Sequence, residues 1–188
     1  QQREMQSVVV GNIPAAMTVP RLERDAPLDQ RMYNVFCAMF NVERTVALTV
    51  GSGESASWGL LQAQAQAITT EFHPAALALS KVEPDGSKQA RDIFMAMREH
   101  SMAMKDMLDN TNPQTFNRYV AVRDRLHSLI ISAYQLTGGQ QPMPSPVPMP
   151  APGSLVAANV DQRAAQVATA AAAAAAAAPM PEIVEPAP

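Results

Sequence analysis

Three histidines, His73, His100 and His127, and a methionine-rich stretch, FMAMREHSMAMKDM, are the residues of this chain whose types and spacing could do chemistry. Met97, His100, Met104 and Met107 follow one another at three, four and three residues, so on a helix they share one face. Thioether with imidazole is the soft donor set that suits Cu(I), and imidazole also serves zinc. If the three histidines stand on neighbouring helices of an up-down-up-down bundle, His73 lies about 9 to 10 residues above a common end, His100 about 13 and His127 about 10, a spread of roughly 5 Å in height. One expectation is therefore a copper or zinc centre built from His73, His100, His127, Met97 and Met104, as in a secreted or periplasmic metal-binding bundle. The plainer expectation is that the methionines fill a core. The histidines at 73 and 127, beside seam residues Phe72 and Leu126, are then boundary residues with one edge in water.

Other patterns carry less. Gly51 to Ala56, GSGESA, has the spacing of a G-x-G-x-x-A dinucleotide fingerprint. That motif needs a strand before it and a βαβ unit around it, whereas here a helical pattern precedes it. No G-x-S-x-G, H-E-x-x-H or C-x-x-C occurs, and Cys37, the single cysteine, has no basic sequence neighbour to favour its thiolate. The carboxylates Glu43, Glu54, Glu71, Glu99 and Asp106 are scattered, without the Glu-x-x-His pair that builds di-iron sites in bundles. The sequence names no nucleophile, no acid–base pair and no catalytic residue, and the reading is of a non-enzymatic chain without a cofactor.

Composition narrows the partners. Hydrophobic residues make up 47% of the 188, but aromatics only 5%, so a core must rest on Met, Leu, Val and Ile. A formal charge of -3 gives no electrostatic reason to expect nucleic acid or an anionic membrane surface. The longest apolar run, the alanine tract between Arg163 and Pro179, falls short of the ~18 strongly apolar residues a membrane span needs.

The elements that must position these residues are helices. Asp25 as N-cap and Pro27 in the first turn open a helix that runs to Gly51, with Leu28, Met32, Val35, Met39, Val42 and Val46 alternating four and three apart. A second starts near Ser57 with the seam Leu61, Ala65, Ile68, Phe72, Ala75, Leu79 and Val82, which keeps phase across Pro74 and so predicts one kinked helix. Ser87 can cap a third, ending near Asp109. Thr111 with Gln114 resembles a capping box for a fourth, with Asn112 as the alternative cap, and Gly138 and Gly139 follow its end at Leu136. Four matched helices with short turns predict an all-α antiparallel four-helix bundle over 25–139.

Both flanks differ from that pattern. Residues 1–24 read as an extended N-terminal arm. Residues 140–158 have proline at almost every second position from Pro142 to Pro152 and predict an extended polyproline-type linker. Residues 159–188 supply a cap at Asn159, an alanine-rich helix stopped by Pro179, and a proline-rich tail. A slim alanine helix is marginal alone and suits docking between subunits. The whole predicts a structural subunit of a larger protein assembly, in a virion or a cell envelope, whose arm and tail contact neighbouring subunits, with homo-oligomers among the partners.

Overall fold

A computed structural model of the chain describes residues 13–53 and 58–155. Among these residues the secondary structure is four helices: α1 Leu28–Ser52, α2 Trp58–Ser80, α3 Gly86–Asp109 and α4 Pro113–Leu136. The start of the arm, part of the GSGES turn and the alanine-rich helix expected from Asn159 lie outside the described residues.

The helix boundaries follow local chemistry; two caps differ from the sequence expectation, and the fourth helix uses the alternative cap, Asn112. For α1 the cap residue is Pro27, whose ψ of 150° keeps it outside the helix, and Asp25 stands in the preceding turn. Its C-terminus closes on Gly53 at φ 67°, the left-handed conformation open to glycine, with the Gly53 N–H donating to the Val50 carbonyl at 3.3 Å. Before α3 the cap position is Asp85, with Ser87 already inside the helix. The fourth helix uses Asn112, whose side chain accepts from the N–H groups of Gln114 and Thr115 while Thr115 Oγ1 accepts from the Asn112 N–H. Thr111 instead donates to the Met107 carbonyl and closes the end of α3. Asparagine wins because its carbonyl oxygen reaches two orphan amides at once.

Pro74 sits inside a single continuous α2, with its ring on the exposed side. Only one backbone bond is lost there, and Phe72 and Ala75 stay fully buried on either side of it.

Each helix packs on the next, and α4 closes back on α1. The pairs that meet fix the directions. Phe72 lies edge-on to Phe94 at 4.9 Å, Arg118 reaches Asp106 while Arg125 reaches Glu99, and Tyr33 meets Tyr134 while Phe36 meets His127. Across α3–α4 and α1–α4 residue numbers rise on one helix as they fall on the other, and across α2–α3 the Thr69–Met97 contact beside Phe72–Phe94 runs the same way. The core is filled by Met32, Phe36, Met39, Leu61, Ile68, Phe72, Ile93, Met104, Met107, Tyr119, Leu126 and their neighbours, all sealed from solvent. Methionine is flexible enough to take the place that aromatic residues hold in other cores.

Two extended segments lie on this bundle. Along residues 13–24 the arm runs antiparallel to α1. Arg44 Nε donates to the Pro14 carbonyl (2.9 Å), Asn41 exchanges both bonds with the Met17 backbone (2.8 and 2.9 Å), and Asn34 Nδ2 donates to the Pro20 carbonyl (2.9 Å). Residues 140–151, the strap, are extended as their prolines require, and they lie against the bundle, with Val147 buried to 1% in the core. The strap follows Gly139, where any Cβ would stand 2.3 Å from the Tyr134 ring, and near its start the Gln141 N–H donates to Tyr134 Oη. It ends at α1 again, where the Gly153 N–H donates to the Val50 carbonyl at 3.0 Å and Leu155 lies over Gly51.

Candidate functional site

The three histidines have three different environments. His73 is exposed on α2, its ring beside Phe94. His100 is buried on α3, tilted against Tyr119 at 5.5 Å between ring centres. His127 is buried on α4, edge-on to Phe36 and bonded through both ring nitrogens. Similar height did not bring similar azimuth. Among the described residues no three His, Cys, Asp or Glu side chains lie together as a metal site requires. Met97 and Met104 are buried core residues, Met97 Sδ lying 4.0 Å from Thr69 Oγ1.

What the fold does bring together is a buried polar cluster on α1 and α4: Glu43, Arg123 and His127. Glu43 Oε1 is 2.7 Å from His127 Nδ1, and Oε2 accepts from the Val147 N–H at 3.3 Å. His127 Nε2 is 3.1 Å from the Pro144 carbonyl. A carbonyl only accepts, so Nε2 carries a hydrogen and donates. The short contact between Oε1 and Nδ1 then holds one proton, and whichever atom carries it, the pair is neutral as a unit. Arg123 donates through Nη1 to the Val147 carbonyl, and through Nε and Nη2 to Asp124 Oδ1 at 3.1 and 2.8 Å. Both backbone groups of Val147 are thus taken by charged or ionisable side chains, and a third bond holds the strap three residues earlier.

This arrangement does what a peptide-binding groove does. Proline-rich backbone has few N–H groups to offer, so carbonyls dominate its recognition, and Arg123 and His127 supply donors to two of them. The Val147 side chain seats in the core and sets the register.

Behind the cluster, burial and the Arg123 charge lower the His100 pKa to about 4, so its ring is neutral near pH 7. His100 Nε2 and Tyr119 Oη are both buried without a hydrogen-bond partner among the described residues, and burial pushes the Tyr119 phenol pKa upward. The cationic Arg123 that keeps a proton off His100 equally opposes a metal cation there. Cys37 is buried in α1, and burial raises its thiol pKa, which disfavours the thiolate at that position. A cleft of about 290 Å³ opens where arm and strap approach each other over α1 and α4, lined by Pro20, Asn34, Tyr33, Tyr134 and Gln141 among others.

In the sequence Glu43 is one of several scattered carboxylates, and neither Arg123 nor Val147 stands out. One signal was present: Glu43 follows seam residue Val42, and Arg123 follows Val122 in the apolar stripe Tyr119, Val122, Leu126, Leu129, Ala133 and Leu136 of the fourth helix, so each stands at the edge of such a stripe. Their common target, a backbone segment one hundred residues downstream of Glu43, leaves no trace in local spacing. Compared with protein families, with curated proteins and with solved structures, the chain matches none.

Proposed function

We propose that this chain is a non-enzymatic structural subunit of a larger protein assembly, built to present rigid helical surfaces to other protein subunits. The observation that carries this reading is the use made of the buried ionisable groups. Glu43, Arg123 and His127 bind the backbone of the chain's own strap instead of lining an open pocket, and the side of the bundle away from them presents an almost uncharged helix, α2. Groups engaged in this way fix shape. They have no free lone pair or proton directed at solvent for a substrate to meet.

The arm and tail have divided roles in this proposal. Residues 13–24 and 140–155 fasten to their own bundle, and contact with neighbours falls to residues 1–12, to 156–188 and to the bare bundle face. A virion or cell-envelope assembly is the setting that suits such a subunit. No helix among the described residues is long and apolar enough to cross a membrane.

The test is sedimentation of the chain from its native source, beside a version ending at Ser154. The full chain is expected in a complex of fixed composition, and the shortened chain is expected to leave it. A full chain that sediments alone, at natural abundance, overturns the proposal.

A further inference from the structure

The outer face of α2 carries a second seam. Leu60, Ala63, Ala67, Thr70, Pro74 and Leu77 follow at intervals of three, four, three, four and three residues, and every one is exposed, Leu60 to 54% and Leu77 to 69%. This stripe lies opposite the seam of Leu61, Ile68, Phe72, Ala75 and Leu79 that α2 buries in its own bundle. A helix apolar on two opposite sides is a helix with partners on two sides, and among the described residues the bundle provides only one.

The stripe reads the same from both ends. Its large residues, Leu60 and Leu77, are terminal, and its small ones are central. If a second α2 is laid against it antiparallel, Leu60 meets Leu77, Ala63 meets Pro74 and Ala67 meets Thr70, each pair occurring twice about a two-fold axis between residues 68 and 69. The proline ring faces the smallest partner available, and the central alanines permit close approach of the two backbones.

Charge selects the same orientation. Glu71 is the only Asp, Glu, Lys or Arg in the 23 residues of α2, and it flanks the stripe. A parallel pairing in register would set it against its own image. The antiparallel pairing sets it beside Gln64 of the second copy, an amide that can donate to a carboxylate, and moves the two Glu71 residues about 7.5 Å apart along the axis, at 1.5 Å per residue.

From these observations we propose that a second copy of this chain docks on this face, forming an isologous dimer across antiparallel α2 helices with Ala67 and Thr70 at its centre. The inference deepens the structural-subunit reading and rests on it. Self-complementary surfaces of this kind are what two-fold symmetry requires.

The full-length chain is tested in two ways. Sedimentation equilibrium should show a dimer, and Leu77→Lys should raise its Kd about a hundredfold, since each dimer loses two buried leucines at roughly tenfold each, with the helical circular dichroism unchanged. Then Ala67→Cys and Thr70→Cys chains carrying different tags are mixed and oxidised, with the wild type, whose Cys37 is buried, as the blank. Links between position 67 of one chain and position 70 of the other should prevail over links between like positions. A monomer at every concentration, a dimer indifferent to Leu77→Lys, or a preference for 67-to-67 links overturns the proposal. A chain that is monomeric alone yet enters the larger complex removes the dimer and leaves the subunit reading standing; a dimer found in no larger complex does the reverse.

Discussion

The α1 side of the bundle and the α2 side are finished in opposite ways. Fourteen of the 25 residues of α1 are buried, polar Asn34 and Glu43 among them, whereas α2 buries five of its 23. Yet α2 is the less charged helix. Apolarity alone would have covered α2 first. The difference lies in hydrogen bonding: Asn34, Asn41 and Arg44 find their partners on the arm, Glu43 has one carboxylate oxygen left over from its bond to His127, and extended backbone is a dense source of carbonyls and amides. Polar residues on α1 thus recruit the arm and the strap, while the uncharged outer stripe of α2 has nothing with which to hold an extended segment and is suited only to another helix.

The largest effect should come from removing the polar anchor. Glu43→Ala leaves His127 Nδ1 and the Val147 N–H buried without their partner, and the loss expected is about 3–5 kcal/mol in chemical denaturation. Glu43→Gln keeps an acceptor and should cost less. If Glu43→Ala costs about 1 kcal/mol or less, the strap is held by Val147 packing and the contrast between the two sides is one of shape, not of hydrogen bonding.

The next effect is a pH dependence. His100 has its pKa lowered to about 4 in the folded chain, against 6.5 when unfolded. Between these values the unfolded chain binds the extra proton, so stability rises with pH across that window. It is fully present above about pH 6.5 and falls by about 3 kcal/mol as the pH drops to 4. His100→Leu should flatten that part of the profile, as measured by denaturation midpoints at a series of pH values. A wild-type profile already flat between pH 6.5 and 4 would mean that water reaches the ring from the α3 side.

A smaller effect belongs to the arm. Asn41→Ala deletes both bonds to the Met17 backbone and should cost about 1–2 kcal/mol, because the site is part-buried and water replaces some of the loss. Hydrogen exchange at the Met17 amide, which donates to Asn41 Oδ1, should accelerate while exchange in α3 stays unchanged.

The bundle itself was legible in the sequence because it depends on short-range periodicity: the seams of α1 to α4 repeat every three to four residues, and Pro74 did not break their phase. Caps were legible to within two residues: Asp25 and Ser87 each stand two positions from the residue that caps, and Asn112, the alternative to Thr111, is the cap itself. The absence of helix and strand from residues 140–151 was legible from their prolines. The strap's attachment was not, because the contacts from Glu43 to Val147 and from Arg123 to the same residue span 104 and 24 positions, and nothing in local composition distinguishes a strap from a spacer. The three histidines stand in separate environments for a geometric reason: counting residues gives height on a helix but not the direction in which a side chain points.

The smallest effect is the one that discriminates best between the two sides. Leu77 is 69% exposed and Leu79, two residues on, is fully buried. Leu79→Ala should cost about 2–5 kcal/mol, as core truncations do. Leu77→Gln, measured on dilute monomer, should change stability by no more than about 0.5 kcal/mol, because glutamine has nearly the helix propensity of leucine and no packing is lost. A cost that grows with protein concentration is the signature of the α2 dimer, since only the associated state buries Leu77. If the cost were large and independent of concentration, the outer stripe would be covered by the chain's own residues beyond 155, and the bundle would have two clothed sides instead of one.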